Sequence, residues 1–409
     1  MTETAVSIQY LVLLFGAILV LNMFLRMGLK NLGVPSLIGF MAVGLAIRFL
    51  DGHWPFLSPG VKEVFRFLAD IGLFALLFRV GLESNLKGLL KQFRHACLIW
   101  VGNILFSGLL GFSVAFWMLR IDVLPSLFVA VALTATSVGV SISVWQEHKA
   151  TRSPTGELLL DVAEMDDISG ILLMALLLSA VSGMAGGGDH VSVGIMIRSV
   201  GIILLKLIVF GGVCVVFSRY IEERITRFFE RKTHSPAPMI VVAGLGLVIA
   251  GIGALLGFSL AMGAFFAGLV FSRDPEAVNL DASFSSLYDM FSPFFFIGIG
   301  LSVNFSSLTS ALGLGGILFV LAVGGKLIGN GLLSLAVTDA VSALLISVSM
   351  VPRAEIAMVI MQRGHQLGEW AVPDSVFSAM VLVSLGTCVI SPLVLRKLLK
   401  RWPQKSESS

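Results

Sequence analysis

Apolar segments of membrane-spanning length follow one another along almost the whole chain. A helix needs about 20 apolar residues to cross the hydrocarbon core of a bilayer, and the sequence contains about thirteen such segments. Hydrophobic residues make up 56% of the 409 residues and charged residues only 13%, whereas soluble proteins carry about 25% charged residues. The sequence therefore predicts an all-α integral membrane protein in a lipid bilayer. It argues against a soluble enzyme or a protein that binds nucleic acid.

The apolar segments divide into two groups of six that are separated by one odd segment. They lie near residues 6–27, 34–50, 63–82, 96–119, 124–146, 156–183, 192–218, 237–256, 258–272, 287–303, 309–336, 340–362 and 373–396. Because spans 1 and 8 then start on opposite sides of the membrane, the two groups of six are predicted to be inverted repeats joined by a linker helix. Inverted repeats are typical of secondary transporters, which bind substrate near the midplane at interrupted helices.

Lysine and arginine are concentrated on alternate loops. One set of loops includes the basic stretch from Arg219 to Lys232 and the tail from Arg396 onward, and the opposite loops contain few basic residues. By the positive-inside rule, the N-terminus lies outside and the C-terminus inside. Glu3 precedes the first span without any basic residue, so we expect no cleaved signal peptide.

Two spans at equivalent places in the two repeats contain a polar interruption. The polar residues are Thr134, Thr136 and Ser137 in the fifth span and Ser347 and Ser349, followed by a proline, in the twelfth. Such residues are tolerated in membrane helices for packing alone. Their symmetric placement nevertheless favours two discontinuous helices at a transport site.

A pair of adjacent carboxylates lies deep in the sixth span. Asp166 and Asp167 are about 15 Å beyond Gly156 at the helical rise per residue, close to the midplane, where a charge costs several kcal/mol and is a functional hypothesis by default. Consecutive helix positions diverge by about 100°, so one carboxylate can meet a fixed partner while the other faces a cavity. Asp161, Glu164 and Asp167 either form an acidic stripe leading to the site or are simply solvated near the helix end.

Positive charges occur at similar depth in the second repeat. Lys326 lies near the middle of the eleventh span, beside glycines that allow close approach of a neighbouring helix. A lone lysine there must be neutral or pair with an anion, and the candidates are Asp166, Asp167 and Glu355. Arg353 and Glu355 follow a proline, where unwound backbone would let them form a structural ion pair or pair with core carboxylates.

These charges predict an exchange chemistry. A carboxylate in a mid-membrane cavity binds either an alkali cation or a proton, and desolvation makes that competition effective near neutral pH. If only the loaded carboxylate crosses between inward- and outward-facing states, exchange is obligatory. A lysine paired with the second aspartate can carry a further proton, which it releases when the cation enters. The residues therefore favour cation/proton antiport.

The motifs together resemble those of the bacterial cation:proton antiporters of the NapA type. The resemblance covers essentially the whole chain and rests on Gly81-Leu82-Glu83, Thr134-Ala135-Thr136-Ser137-Val138-Gly139, Asp166-Asp167, Gly325-Lys326 and Pro352-Arg353-Ala354-Glu355. It implies a homodimer in a prokaryotic cytoplasmic membrane, without a cofactor, that exchanges Na⁺ (or Li⁺) for protons electrogenically, typically two protons per sodium ion. By the same analogy Asp167 binds the ion, with Asp166 as a further candidate ligand, and Asp166 pairs with Lys326.

The resemblance also implies an elevator-type division of the chain, in which a core carrying two crossed, interrupted helices moves against a scaffold. The implied division is 1–95 and 237–308 for scaffold and dimerisation helices, 96–183 and 309–397 for the core, 184–236 for the linker helix and basic loop, and 398–409 for a cytoplasmic tail. Two residues depart from the family pattern. Ala354 stands where glycine is usual, and Glu164 stands where apolar residues are common.

Three other readings remain open. Potassium-efflux relatives usually carry Gln-Asp in place of Asp166-Asp167 and a cytoplasmic nucleotide-binding domain, which we do not expect because the chain stops soon after Arg401. An organic-anion symporter with a similar core has no evident use for adjacent aspartates, and a passive channel would not need them to exchange ions. An enzyme has no support, since we find no phosphate loop, metal-ligand spacing or nucleophile with a base.

Overall fold

The computed structural model describes residues 8–32, 36–55, 57–83, 93–151, 153–184, 193–222, 224, 237–256, 260–272, 277–304 and 308–404. Every regular element within these ranges is helical, so the predicted all-α class is confirmed for them. Among the described residues, six helical stretches are long and apolar enough to cross a membrane: Val12–Leu29, Ser36–His53, Arg94–Met118, Val123–Glu147, Ala311–Ser334 and Asp374–Arg401. Shorter apolar helices accompany them.

We number the helices α1 to α15 along the chain. Their bounds are Ile8–Leu32 (α1), Ser36–His53 (α2), Pro59–Glu83 (α3), Phe93–Ser113 (α4), Val123–Thr134 (α5), Val138–Glu147 (α6), Pro154–Met184 (α7), Val193–Phe217 (α8), Ala237–Leu255 (α9), Leu260–Phe271 (α10), Ala277–Leu301 (α11), Leu308–Ser334 (α12), Ala340–Ser349 (α13), Glu355–Gln366 (α14) and Asp374–Arg401 (α15). Short π-helical turns extend α4 and α8.

The helices follow the apolar segments of the sequence, with differences at some ends. The apolar part of α11, Ser286–Leu301, agrees with the tenth segment near residues 287–303, whereas the helix itself already begins at Ala277. A helix needs only its backbone hydrogen bonds, so it continues through polar residues that an apolar pattern leaves out. Similarly, α3 begins at Pro59 rather than near residue 63, since proline fits the first turn of a helix.

Some sequence predictions fall outside the described residues. Gly257, where the sequence divides two short spans, is one of them, and so is most of the basic stretch between Arg219 and Lys232. The end of the C-terminal tail, 405–409, also lies outside the described ranges.

The chain forms two compact units. The first comprises 1–66, 87–170 and 296–409, and the second comprises 67–86 and 171–295. All of the polar side chains that the sequence singles out in the interrupted spans belong to the first unit, as do Asp166 and Lys326.

Close contact between α4 and α12 organises the first unit. A Cβ atom on Gly102 would lie 2.7 Å from the carbonyl oxygen of Gly329, and one on Gly329 would lie 2.8 Å from the carbonyl oxygen of Gly102. Both distances are too short for a methyl group, so the two backbones can touch only because both residues are glycine. Asn103 and Lys326 lie on these two helices and are therefore brought near each other.

An apolar cluster fixes the interrupted helices beside this contact. Fully buried Trp145 of α6 packs with Ile346 of α13, Leu159 of α7 and Leu395 of α15. The Trp145 indole Nε1 also donates to Ser349 Oγ at 2.9 Å. The packing and the hydrogen bond together hold α6 against the end of α13.

The second unit is also closely packed. Glycines of α3 and α10 face each other, and a Cβ atom on Gly81 would clash with the backbone at Gly268. This contact gives Gly81, the first residue of a motif noted in the sequence, a packing role. Lys206 of α8 donates to the Leu256 carbonyl at 3.1 Å.

Candidate functional site

The two interrupted helices contact each other at their breaks. We call residues 135–137, between α5 and α6, the first interruption, and residues 350–354, between α13 and α14, the second interruption. The Ser137 backbone N–H donates to the Pro352 carbonyl at 2.8 Å. Thr136 Oγ1 lies 3.4 Å from the Met350 carbonyl. The polar breaks of the sequence are thus positions where the two repeats meet.

The end of α5 supplies carbonyl oxygens that no longer take part in a helix. The last carbonyls of any helix lack intrahelical partners, and a buried one without a partner is costly. Here the Thr134 carbonyl accepts from Lys326 Nζ at 2.6 Å. The next carbonyl, at Ala135, accepts from Arg353 Nη1 at 2.8 Å. Two positively charged side chains therefore complete the first interruption.

Lys326 is fully buried and has three oxygen partners. Its Nζ donates to the Thr134 carbonyl and to Thr136 Oγ1, the latter at 2.5 Å, and lies 3.6 Å from Asp166 Oδ2. The exposed fractions of the two charged side chains are 0% and 1%. A charge pair removed from solvent to this extent persists only when further hydrogen bonds serve it. The two threonine oxygens provide such bonds for the ammonium.

Asp166 lies between two donors. Its Oδ1 accepts a short hydrogen bond from Asn103 Nδ2, whereas its Oδ2 accepts no hydrogen bond from the described residues and faces the ammonium of Lys326. The carbonyl of Asp166 also accepts from Ser169 Oγ at 2.9 Å. In turn, Ser169 Oγ accepts from the Trp100 indole at 2.9 Å. The carboxylate is thus held on a firmly bonded segment of α7.

Asn103 is the site residue that sequence reasoning missed. Its side chain is fully buried, and its Nδ2 donates to the Thr134 carbonyl at 3.3 Å as well as to Asp166. Ser107 Oγ, one turn later on α4, donates to Asn103 Oδ1 at 3.3 Å. The signal in the sequence was an asparagine in the otherwise apolar fourth segment, directly after Gly102.

The remaining acidic residues of α7 are more accessible. Asp167, Glu164 and Asp161 are each half-buried, in contrast to Asp166. The two adjacent aspartates therefore have different surroundings, as their 100° separation on a helix requires. The structure brings Asp166 and Lys326 together and leaves Asp167 partly open.

Arg353 and Glu355 reach the first interruption through different partners. The guanidinium of Arg353 is fully buried and donates to two backbone carbonyls, that of Ala135 and, at 3.2 Å, that of Ala322 on α12. The carboxylate of Glu355 accepts a short hydrogen bond from Ser137 Oγ. Glu355 is also the first residue of α14, where the helix dipole favours a negative charge.

Two serines of α13 support the second interruption in different ways. Ser347 Oγ donates to the Ala343 carbonyl of its own helix at 2.6 Å. Ser349 joins α13 to α6, because its carbonyl accepts from Ser141 Oγ at 2.7 Å and its hydroxyl from Trp145. Ala354, the N-cap of α14, has φ of −140° and ψ of −94°.

The described residues contain no group of three or more His, Cys, Asp and Glu side chains that could hold a metal ion. The ends of α5 and α13 carry hydroxyl and backbone carbonyl oxygens. Hard alkali cations prefer such oxygen ligands.

Comparison with known proteins identifies the family. A model of the family described as "Sodium/hydrogen exchanger, transmembrane" matches residues 13–401. The chain belongs to the sodium/hydrogen exchanger family. This confirms the family-level prediction from the motifs, whereas the finer NapA-type assignment stays a prediction. Membership supports cation/proton exchange by an integral membrane transporter rather than an enzyme.

Individual relatives of this family member agree over most of their length. An Na⁺/H⁺ antiporter of Enterococcus hirae is 27% identical over 376 residues, which are 91% of this chain and 94% of the relative. The Na⁺/H⁺-K⁺ antiporter GerN of Bacillus cereus is 27% identical over 90% of each chain. The structure of the sodium proton antiporter MjNhaP1 of Methanocaldococcus jannaschii matches with a TM-score of 0.72 over 96% of this chain and 100% of the other, at 15% identity. That last likeness supports the fold alone.

Proposed function

We propose that this protein is a secondary antiporter that exchanges Na⁺, or Li⁺, for protons. The observation that carries the proposal is the buried Asp166–Lys326 pair at the meeting point of the two interruptions, next to half-buried Asp167. An anion carrier has no use for two adjacent carboxylates there. The names of the relatives, which include Na⁺/H⁺ antiporters, support sodium as the cation.

In the proposed cycle, Asp167 binds either the cation or a proton. Its half-burial gives access to ions and protons, and one carboxylate does not hold both at once, so the two compete. When a cation enters, Lys326 releases its proton and the pair with Asp166 loosens. When the cation leaves, Lys326 and Asp167 each take up a proton. Two protons then move per cation, which makes the exchange electrogenic.

Reconstituted protein tests the proposal directly. Proteoliposomes containing the full chain and an internal pH dye would receive Na⁺, Li⁺ or K⁺ between pH 6 and 9. We expect Na⁺ or Li⁺ to drive proton movement, and Asp167→Asn to abolish it. The matched control is Glu147→Gln, the same carboxylate-to-amide change in an exposed pair with Arg396, which should retain exchange because exposed ion pairs contribute little. Unchanged exchange in Asp167→Asn would contradict the site, and a response to K⁺ alone would favour the potassium/proton alternative suggested by the name of GerN.

Electrogenicity has its own measurement. Imposing a membrane potential with valinomycin should change the rate of Na⁺-driven exchange in the wild type, because net charge moves in each cycle. If Lys326 carries the second proton, Lys326→Gln should either abolish exchange or leave an exchange whose rate does not depend on the membrane potential. A wild-type exchange rate that does not change with the membrane potential would contradict a stoichiometry of two protons per cation.

We also propose an elevator movement in a homodimer. The moving core comprises residues 96–183 and 309–397, and the scaffold comprises residues 1–95 and 237–308. Residues 184–236 form the linker and residues 398–409 the tail. We further propose a cytoplasmic-membrane location in a prokaryote, with thirteen spans in inverted repeats. The alternation of basic loops supports an outside N-terminus and an inside C-terminus. The contact of the two interrupted helices at their interruptions supports the assignment of both to one moving body.

A contact between α2 and the interrupted helices offers a test of this movement. Leu37 and Ile38 of α2 pack against the small buried cluster of Val140, Ala354 and Cys388. An elevator must separate Ile38 from this cluster, which includes Cys388, in each cycle. In Ile38→Cys, a mercury(II) ion bridging the two thiols should stop exchange, and a thiol reagent should restore it. The control Ile38→Cys with Cys388→Ala should be insensitive, and full exchange by the bridged protein would contradict the movement.

A further inference from the structure

Exposed side chains on one face of α15 change from apolar to basic toward the end of the helix. Three apolar residues, each at least 40% exposed, are followed by three exposed basic residues: Ile390, Leu393, Val394, Lys397, Lys400 and Arg401. At 100° per residue, these six positions lie within an arc of about 120°. The buried residues Leu395 and Leu399 lie on the opposite side of the helix. We call the six exposed residues the end face of α15.

The end face changes character at the depth where a bilayer changes from hydrocarbon to headgroups. Helix α15 has 28 residues and is apolar enough to cross a membrane, and the helical rise makes it about 42 Å long. A bilayer measures about 40–45 Å with its headgroups and about 30 Å without them. A spanning α15 therefore places its last turn among the headgroups. The apolar part of the end face then contacts acyl chains, and the basic part reaches the phosphates.

The positive charges of the end face differ from that of their neighbour Arg396. Arg396 is paired, since its Nε and Nη2 both lie 3.1 Å from Glu147 Oε2. By contrast, none of the described residues forms an ion pair with Lys397, Lys400 or Arg401. Helix α15 itself contains no acidic residue beyond its first position. Three positive charges therefore remain available to an anion.

The backbone that carries these charges is held against neighbouring helices. Gln404 Oε1 accepts from Thr155 Oγ1 of α7 at 3.0 Å, and the Arg396 ion pair joins α15 to α6. The guanidinium carbon of Arg401 lies 5.2 Å from the centroid of the Trp402 ring. Groups that are already restrained lose less entropy when they bind a ligand.

We propose that the end face of α15 binds an anionic phospholipid. Its acyl chains lie along the apolar residues, and Lys397, Lys400 and Arg401 bind the headgroup phosphate. A headgroup with a net negative charge complements three unpaired cations, whereas a zwitterionic headgroup carries a cation of its own. Each basic side chain near an anionic membrane surface contributes about a factor of five to binding. The site lies apart from the exchange site, and the inference goes beyond the proposed function.

A tryptophan on the end face would measure which lipid lies there. Bromine atoms on acyl chains quench an indole that they contact, and Leu393→Trp places an indole in the apolar part of the face. The full chain is reconstituted in phosphatidylcholine vesicles, and the quenching of the added indole is the difference from the wild type. We expect brominated phosphatidylglycerol to bind there at least about fivefold more tightly than brominated phosphatidylcholine. The matched control is Val320→Trp, an exposed apolar position in the middle of α12, where we expect no such preference.

Charge variants in the Leu393→Trp background separate charge from shape. The combined variant Lys397→Gln, Lys400→Gln and Arg401→Gln should abolish the preference for the anionic lipid. The combined variant Lys397→Arg, Lys400→Arg and Arg401→Lys should retain it, because the three charges remain. A salt concentration of about 1 M should also abolish it, since the screening length falls to about 3 Å.

Several outcomes would overturn the proposal. Equal binding of the two lipids in Leu393→Trp would do so, as would an unchanged preference in the glutamine variant. Should the glutamine variant fail to fold, a preference that persists at about 1 M salt would overturn the proposal instead. Displacement of the brominated lipid by inorganic phosphate at constant ionic strength would show that the ligand is not a lipid. Because no ion movement is measured, failure of the proposed function would leave these outcomes unaffected.

Discussion

The two interruptions occupy equivalent places in the two halves of the chain but are completed by different chemistry. In the first, the buried carbonyls of Thr134 and Ala135, which have no helical partner, accept from the cations Lys326 and Arg353. In the second, neutral donors serve the backbone. The Arg353 carbonyl accepts from Ser384 Oγ at 2.6 Å, and the Pro352 carbonyl accepts from the Ser137 N–H. At the adjoining end of α13, the Ser349 and Val348 carbonyls accept from Ser141 and Ser391.

This difference predicts separate roles for the two interruptions. Carbonyls at the C-terminal end of α5 carry the negative end of a helix dipole, so the first interruption responds when the charge of Lys326 changes. The hydroxyl and amide donors of the second interruption have the same charge at every accessible pH. We therefore expect the first interruption to vary during exchange and the second to act as a fixed support.

Breaking the Lys326–Asp166 pair should have the largest effect on stability. Lys326→Met leaves Asp166 without its cation and the Thr134 carbonyl without its strongest donor, and Asp166→Asn leaves the ammonium without its anion. Removing one partner of a buried pair costs about 3–5 kcal/mol. The double variant should be more stable than the sum of the single losses by at least about 1 kcal/mol. Thermal unfolding of the detergent-purified protein would measure this, and additive losses would contradict the pairing.

Much of the fold followed from the sequence, because the apolar segments had the length that a bilayer demands. The interruptions also followed from it, since Thr134, Thr136 and Ser349 stand out in apolar runs. Helix ends that extend beyond the apolar segments could not be predicted from the sequence, as the early start of α11 illustrates. Backbone hydrogen bonding continues past the last apolar residue.

The site was less accessible to sequence reasoning. The deep placement of Asp166 and Lys326 marked them as partners, but the actual donors to Asp166 depend on which helices touch. The contact of Gly102 with Gly329 brings α4, which carries Asn103, against α12, which carries Lys326. Arg353 looked like a partner for a carboxylate, whereas the structure directs its guanidinium to the carbonyls of helix ends. The sequence does not show which backbone carbonyls lie at helix ends without a partner. The ion-pair role of Arg353 stays a prediction.

Arg353→Lys should have the next largest effect on stability, since it keeps the charge but loses the several N–H donors of the planar guanidinium. An ammonium cannot reproduce the two directions in which the guanidinium reaches the carbonyls of Ala135 and Ala322. Losing one hydrogen bond to a charged group costs about 1.5–3 kcal/mol. We expect a lower thermal midpoint with the pH profile of exchange little changed. A Lys variant as stable as the wild type would mean that charge alone completes the first interruption.

Ser384→Ala probes the second interruption with a smaller expected effect. The variant removes a neutral donor to the Arg353 carbonyl, while Cys388 Sγ, 3.3 Å away, can still serve that oxygen. The loss should be about 1 kcal/mol, with an unchanged pH profile. Thermal unfolding and proteoliposome exchange would measure the two quantities. A shifted profile would contradict the separation of a variable first interruption from a fixed second one.

Asp339 provides the last and smallest contrast, at the beginnings of the two helices α13 and α6. Asp339 caps α13 by accepting from the Val341 and Ser342 backbone N–H groups at 3.0 and 3.3 Å, whereas Ser137 makes no side-chain cap on α6 and donates to Glu355 instead. The Ser342 hydroxyl and these N–H groups hold the pKa of Asp339 below its usual range. Its ionised form therefore stabilises the fold above the ordinary aspartate pKa, and this contribution is lost as the pH falls through the lower folded value.

Asp339→Ala should accordingly lower the free energy of unfolding by about 1 kcal/mol at pH 7. The difference from the wild type should shrink below about pH 4, where aspartate begins to protonate. Asp339→Asn is the matched control, because asparagine also caps helices, and it should lose less than the alanine variant at pH 7 without the same dependence on acid. Exchange should persist in both variants, since α13 keeps its packing around Trp145. A loss in Asp339→Ala that is equal at pH 7 and pH 3.5 would mean that the cap does not depend on the charge of the carboxylate, and that the two helix starts differ in shape alone.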